Sequence, residues 1–175
     1  MRLSQLCVQN RLFLRVNATL PPMNLILWRH AEAEDTSPDI ERTLTRRGLI
    51  EAALMAQWLH LQMPPDTRVI SSPAKRAKQT ARALVSDFEI VNALAPDKGV
   101  ADLLAAVRWP EAGNGHTVLV VGHQPTLGQT AALLIGGTEA PWSIRKGAVW
   151  WISNRVRGAG ANAVLRMVMS PDRLP

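Results

Sequence analysis

The stretch "ILWRHAEAED", residues 26–35, passes from an apolar run into Arg29 and His30, then into the carboxylates Glu32, Glu34 and Asp35. A histidine that attacks phosphorus needs a neutral ring nitrogen, and the dianionic group under attack needs cations and N–H donors around its oxygens. Arginine meets that need, because its planar fork donates two hydrogen bonds to phosphate and keeps its charge at any ordinary pH. Two further stretches supply matching residue types: "ISSPAKRAKQTA" (70–81) with Ser71 and Arg76, and "VLVVGHQPTL" (118–127) with His123. Any one of these is common by chance. Together they are specific, since each supplies a group that phosphate chemistry demands.

These residues must be carried to one place by the elements around them. "NLILW" (24–28), "TRVISS" (67–72) and "TVLVVG" (117–122) are short β-branched or aliphatic runs, the pattern of strands buried on both faces. Between them, "TRRGLIEAALMAQWLHLQ" (45–62) predicts a helix with Thr45 as N-cap and Leu49, Ala53, Ala56 and Leu59 or His60 on one face, ended by Pro64 and Pro65. "PAKRAKQTARALVS" starts a second helix with Pro73 at an early position. "VADLLAAV" and "TLGQTAALLIGG" predict two more, the last stopped by Gly136 and Gly137. "AVWWISNRV" and "NAVLRMVM" flank the turn-forming "RGAGA" and predict a hairpin, with Trp150 and Trp151 on opposite faces.

Strands alternating with helices give an α/β fold: three layers, α/β/α, with a mostly parallel central sheet and a C-terminal antiparallel hairpin. Ligands in such sheets gather at the carboxyl ends of the strands, beside helix N-termini. Arg29 and His30, Ser71 to Arg76, and Gly122 with His123 each follow a strand, so all three clusters share one rim.

In these motifs the chain resembles the histidine phosphatase superfamily, the branch related to phosphoglycerate mutase, and within it the short SixA-type phosphohistidine phosphatases. "LWRHAEA" resembles the Arg-His-Gly signature, "LTRRGLIEAALMAQWL" the helix that follows it, and "ISSPAKRAKQTA" and "VLVVGHQPTL" the two later segments, in the family's order across residues 23 to about 135. The resemblance implies a phosphoglycerate mutase-like fold, His30 as nucleophile, Arg29 and Arg76 as phosphate-binding arginines, and His123 as the second histidine, with Ser71 among the substrate-binding residues. It implies hydrolysis of phosphohistidine on a protein partner through a covalent phosphohistidine enzyme. Alternatives are a phosphatase for small phosphate esters and a non-catalytic phosphoprotein-binding module. The long helical insertions of mutases have no room here, so an open site is expected.

Ala31 stands where the commonest signature has glycine, so the turn there should avoid positive φ. No clear counterpart exists for the acid that protonates the leaving group in larger members; Glu32, Glu34, Asp35 and Asp97 are candidates, Glu32 and Asp97 foremost. The arginines should lower the pKa values of His30 and His123 below about 6.5, and a protonated His123 would donate to bound phosphate.

The whole chain sets the limits. Its 175 residues suit one domain, and no apolar stretch reaches the roughly 18 to 20 residues of a spanning helix. Of the net charge of +6, half lies in Arg2, Arg11 and Arg15, leaving 17 basic and 14 acidic residues elsewhere, which argues against a nucleic-acid partner. Residues 1–22 therefore read as a peripheral extension before a phosphatase domain at 23–175. The single cysteine, Cys7, excludes an internal disulfide. No metal-ligand spacing and no Gly-rich phosphate loop occur, so no metal and no cofactor are expected. A cytoplasmic monomer, without membrane attachment, is the expectation.

Overall fold

The computed structural model describes residues 22–110, 116–157 and 160–174. The predicted N-terminal extension, apart from Pro22, and the tip of the predicted hairpin turn lie outside them.

The apolar runs form strands because every position has somewhere to bury. In β1 (Asn24–Arg29), Leu25 and Leu27 enter one core cluster and Ile26 and Trp28 the other. In β4 (Thr117–Gly122), Val118 and Val120 alternate in the same way with Leu119 and Val121. Full burial of such a side chain contributes roughly 1.5 to 3 kcal/mol. Strands buried on both faces need helices on both faces. The helices α1 (Arg46–Gln62) and α2 (Lys75–Leu84) supply Met55, Leu59, Ala77 and Ala81 to one cluster. On the other face, α3 (Val100–Val107) and α4 (Thr126–Gly136) supply Leu103, Val107, Leu127 and Ala131.

Two shorter strands, β2 (Arg68–Ser71) and β3 (Glu89–Ile90), and the C-terminal pair β5 (Val149–Arg157) and β6 (Gly160–Met169) complete a six-stranded sheet of order β3-β2-β4-β1-β5-β6. The first four strands in that order are parallel; β5 and β6 are antiparallel, as the predicted hairpin requires. Trp151 joins one core cluster and Trp150 packs against the other, so the adjacent tryptophans do face opposite ways.

The predicted face of the first helix is out of phase. Thr45 caps it as expected, its hydroxyl accepting from Gly48 N–H at 2.9 Å, but Leu49 is half exposed and Ala53 is exposed. The buried stripe is Gly48, Ala52, Met55, Ala56 and Leu59. Gly48 sets that phase: a Cβ there would overlap the carbonyl of Glu32, so only glycine lets the helix lie against the loop that follows His30. The short β3 also went unforeseen. The second helix begins at Lys75, two residues after Pro73.

Candidate active site

The predicted rim is real in the sheet: β2, β4 and β1 are neighbours, and their carboxyl ends deliver the serines and Arg76, His123, and the Arg29–His30 pair. The backbone at His30 is held from both sides. His30 N–H donates to Gly122 O at 3.1 Å, while Gly147 N–H donates to His30 O at 3.1 Å and Arg29 N–H to Ala148 O at 3.0 Å. The indole of Trp28 anchors the same turn through Gly147 O at 3.0 Å, and Gly147 itself sits at φ +72°, a conformation that suits glycine. Ala31 avoids positive φ, as expected for a residue with a Cβ.

One ring nitrogen of His30 is committed. Nδ1 lies 2.8 Å from Ala31 O, and since a carbonyl only accepts, Nδ1 carries the proton and Nε2 the free lone pair. That lone pair faces Arg76, whose Nε–H reaches it at 3.3 Å. Burial, more than charge, keeps the ring neutral: it lowers the His30 pKa to about 4, helped by Arg76, Arg29 and Lys146 and opposed by the bond to Ala31. His123 is lowered to about 3, again chiefly by burial and then by His30 and Arg76. The two rings lie with centroids 5.1 Å apart. The sequence-based reasoning had the direction right but ascribed it to the arginines alone.

Arg76 is nearly fully buried, and its fork is occupied. Nη1 donates to Asp39 O at 2.6 Å and Nη2 to Asp39 Oδ2 at 2.9 Å. One helical turn later, Thr80 Oγ1 donates to Arg76 O and accepts from Ala31 N–H, tying α2 to the loop after His30. Arg29 donates through Nη1 to Ile144 O at 2.7 Å. Two buried nitrogens around His30, Arg29 Nε and His123 Nδ1, have no partner among the described residues. Buried orphans of this kind are rare. A phosphoryl group would offer an acceptor to Arg29 Nε–H and, where the ring proton sits on Nδ1, to His123 as well.

Of the candidate acids, Glu32 lines a cleft together with Arg29. Glu32 accepts from the Thr45 hydroxyl at 3.0 Å, and Asp97 is an exposed partner of Lys98 at 3.6 Å. Asp35 pairs with Arg42 at 3.4 Å, and Glu34 is exposed. The carboxylate bonded into the site is Asp39, which sequence reasoning missed. It lies in a 3-10 turn (Asp39–Glu41), nine residues beyond His30, and its role appears only through pairing with an arginine 37 positions away. Partial burial acts to raise its pKa, but the hydrogen bonds from Arg76 and Arg42 outweigh that and hold it below the usual carboxylate range. Arg42 also organises the acidic loop, donating to Glu34 O at 2.6 Å and Asp39 Oδ1 at 3.1 Å.

Ser71 is buried, and its hydroxyl turns to Ser72 O at 3.1 Å. The serine that meets a site residue is Ser72, 2.7 Å from His123 Nε2.

The family described as the histidine phosphatase superfamily (branch 1) matches residues 25–99. The phosphohistidine phosphatase SixA of Escherichia coli strain K12 is 33% identical over 126 residues, covering 68% of this chain and 78% of its own. The chain belongs to the histidine phosphatase superfamily. It is a hydrolase of that family. An uncharacterized protein of Picosynechococcus sp. is 33% identical over 137 residues, covering 73% of this chain and 82% of its own. A solved structure of the protein histidine phosphatase SixA with tungstate superposes with a TM-score of 0.72 at 31% identity, covering 86% of this chain and 98% of that one. The shared fold is the mostly parallel sheet with its antiparallel C-terminal strands. Among the described residues, no helix is long and apolar enough to cross a membrane.

Proposed function

We propose that this phosphatase removes the phosphoryl group from a histidine of a partner protein, through a covalent intermediate on His30. The observation that carries the substrate class is the state of Asp39. It is the carboxylate hydrogen-bonded to the site's arginine, it is held ionised, and it is committed to that arginine, so it has no proton to give. An alkyl ester needs such a proton for its alkoxide. A phosphoimidazole does not, because its nitrogen can take a proton from solvent before the P–N bond breaks. Likeness to a relative named a phosphohistidine phosphatase supports the same class.

In the first step His30 Nε2 attacks phosphorus as the bond to the substrate imidazole breaks, its electron pair returning to the leaving nitrogen of a ring already protonated at its other nitrogen, so that a neutral imidazole departs. Arg29, Arg76 and His123 hold the phosphoryl oxygens, and the Nδ1–H bond to Ala31 O spreads the positive charge that develops on His30. In the second step water attacks the same phosphorus, the P–N bond to His30 breaks, and inorganic phosphate leaves a neutral ring.

The test is rapid-quench trapping of an acid-labile phosphoenzyme, with a phosphohistidine protein, phosphoramidate and a panel of small esters as donors. Wild type and His123→Ala should label and His30→Ala should not, with the phosphohistidine protein turned over fastest. Labelling of His30→Ala would overturn the mechanism. Faster turnover of an ester would move the substrate to that class, and binding without turnover would make the protein a phosphoprotein-binding module.

A further inference from the structure

Ser72 is fully buried between two partners. Its Oγ accepts from Ala74 N–H at 3.2 Å, at the start of α2, and lies 2.7 Å from Nε2 of His123. Across the ring, Nδ1 of His123 is buried and without a partner. The ring can carry its proton on either nitrogen, and the two choices leave different groups unmatched. With the proton on Nε2, the ring donates to Ser72; the hydroxyl hydrogen then has no acceptor among the described residues, and the Nδ1 lone pair is orphaned as well. With the proton on Nδ1, Ser72 donates its hydroxyl hydrogen to Nε2 and still accepts from Ala74. Only one group, the Nδ1–H donor, is then left waiting.

We infer that Ser72 is a positioning residue that sets the tautomer of His123, so that the neutral ring offers Nδ1–H to the phosphoryl group. A bare lone pair at that atom would repel a phosphoryl oxygen, whereas an N–H attracts one without any proton uptake. His123 therefore need not become imidazolium to act, in contrast to the expectation that a protonated His123 donates to bound phosphate. The inference rests on the phosphatase reading for its catalytic meaning, but the tautomer can be read in the free protein without substrate.

Two-bond proton–nitrogen correlation spectra of the histidine rings, recorded near neutral pH on the whole wild-type chain, decide it. The His123 signal is identified by its loss in His123→Gln. The expected spectrum shows one tautomer, protonated at Nδ1. Ser72→Ala should shift His123 toward the Nε2–H form and lower kcat/KM by at least about tenfold, while Ser72→Thr, which keeps the hydroxyl, should restore the tautomer. A wild-type ring protonated at Nε2, or a Ser72→Ala ring with its tautomer unmoved, would overturn the inference. If the variants do not fold, the wild-type spectrum alone decides. Failure of the phosphatase reading would show separately, as an absent phosphoenzyme with the tautomer unchanged.

Discussion

Arg76 Nε stands 3.3 Å from Nε2 of His30 and covers the lone pair that attacks phosphorus in the proposed mechanism. The guanidinium holds that nitrogen in the free protein and, in the proposed mechanism, turns the donor to a phosphoryl oxygen when substrate arrives. Its other two nitrogens stay on Asp39 meanwhile. Arg76→Lys keeps the charge but cannot span both partners, so it should lower kcat/KM by roughly a hundredfold or more, measured by steady-state kinetics. Loss of less than a few fold would show that charge alone suffices.

Asp39→Asn keeps the shape of the side chain and removes the charge that orients Arg76. We expect a drop of about tenfold in kcat/KM, larger in KM than in kcat because the fork loses its alignment before substrate binds. The pH dependence follows from the depressed pKa of Asp39: its contribution to stability is present above the unfolded value near 3.8 and is lost as pH falls through the lower folded value. Between pH 5 and 8 the pair should show no titration. A break in wild-type kinetics in that window that disappears in Asp39→Asn would contradict this.

The histidines behave differently in stability and in rate. Both rings have folded pKa values, about 4 and about 3, below the unfolded value near 6.5. The unfolded chain therefore takes up protons first. Stability should be full above about pH 6.5 and decline as pH falls toward 4, with His123→Gln flattening part of that slope. Activity should hold further down: kcat/KM should show an acid limb near pH 4, where His30 gains its proton, rather than near 6.5. Thermal melts and initial rates across pH 4 to 8 read both. An acid limb close to 6.5 would mean that His30 is far better solvated than its surroundings indicate.

Gly48→Ala places a methyl group against the carbonyl of Glu32, one residue beyond Ala31. Overpacking of that kind costs typically about 1 to 3 kcal/mol, and here the strain falls on the loop that carries the Ala31 carbonyl. Both Tm and kcat should drop, whereas Leu49→Ala, on the exposed side of the same helix, should leave both nearly unchanged.

Met23 is buried, with its N–H donating to Asn154 Oδ1 at 2.6 Å. A chain beginning at Met23 would place a charged amino group in that pocket, at a cost in stability. Starting two residues earlier should melt higher than starting at Met23, and equal melting temperatures would show that the charge finds solvent.

The parts legible in the sequence are those where one physical requirement acts alone. Residues 24–28 and 117–122 had to be strands because an unbroken apolar run of that length needs cover on both faces. The four residues Arg29, His30, Arg76 and His123 stood out because they follow such runs. What stayed hidden depends on contacts between distant positions. The phase of α1 is set by Gly48 against Glu32, which no hydrophobic pattern records, and β3 is only two exposed residues, Glu89 and Ile90, too short to show a period. Asp39 and Ser72 look like loop residues until Arg76 and His123 are seen beside them.

The pairing of β1 with β4 ends with Arg29 opposite Gly122, and His30 and His123 are the next residue on each side, with His30 N–H still donating to Gly122 O. Their rings lie 5.1 Å apart, close to the roughly 4.8 Å between neighbouring strands. The sheet thus sets the spacing of the two backbone positions, and the bonds to Ala31 O and Ser72 Oγ fix how the rings stand on it. Exposed rim side chains that touch neither site arginine, such as Glu34, Asp35 and Arg145, could be exchanged for differently charged ones, and the substrate range retuned, while the spacing of the two histidines is kept.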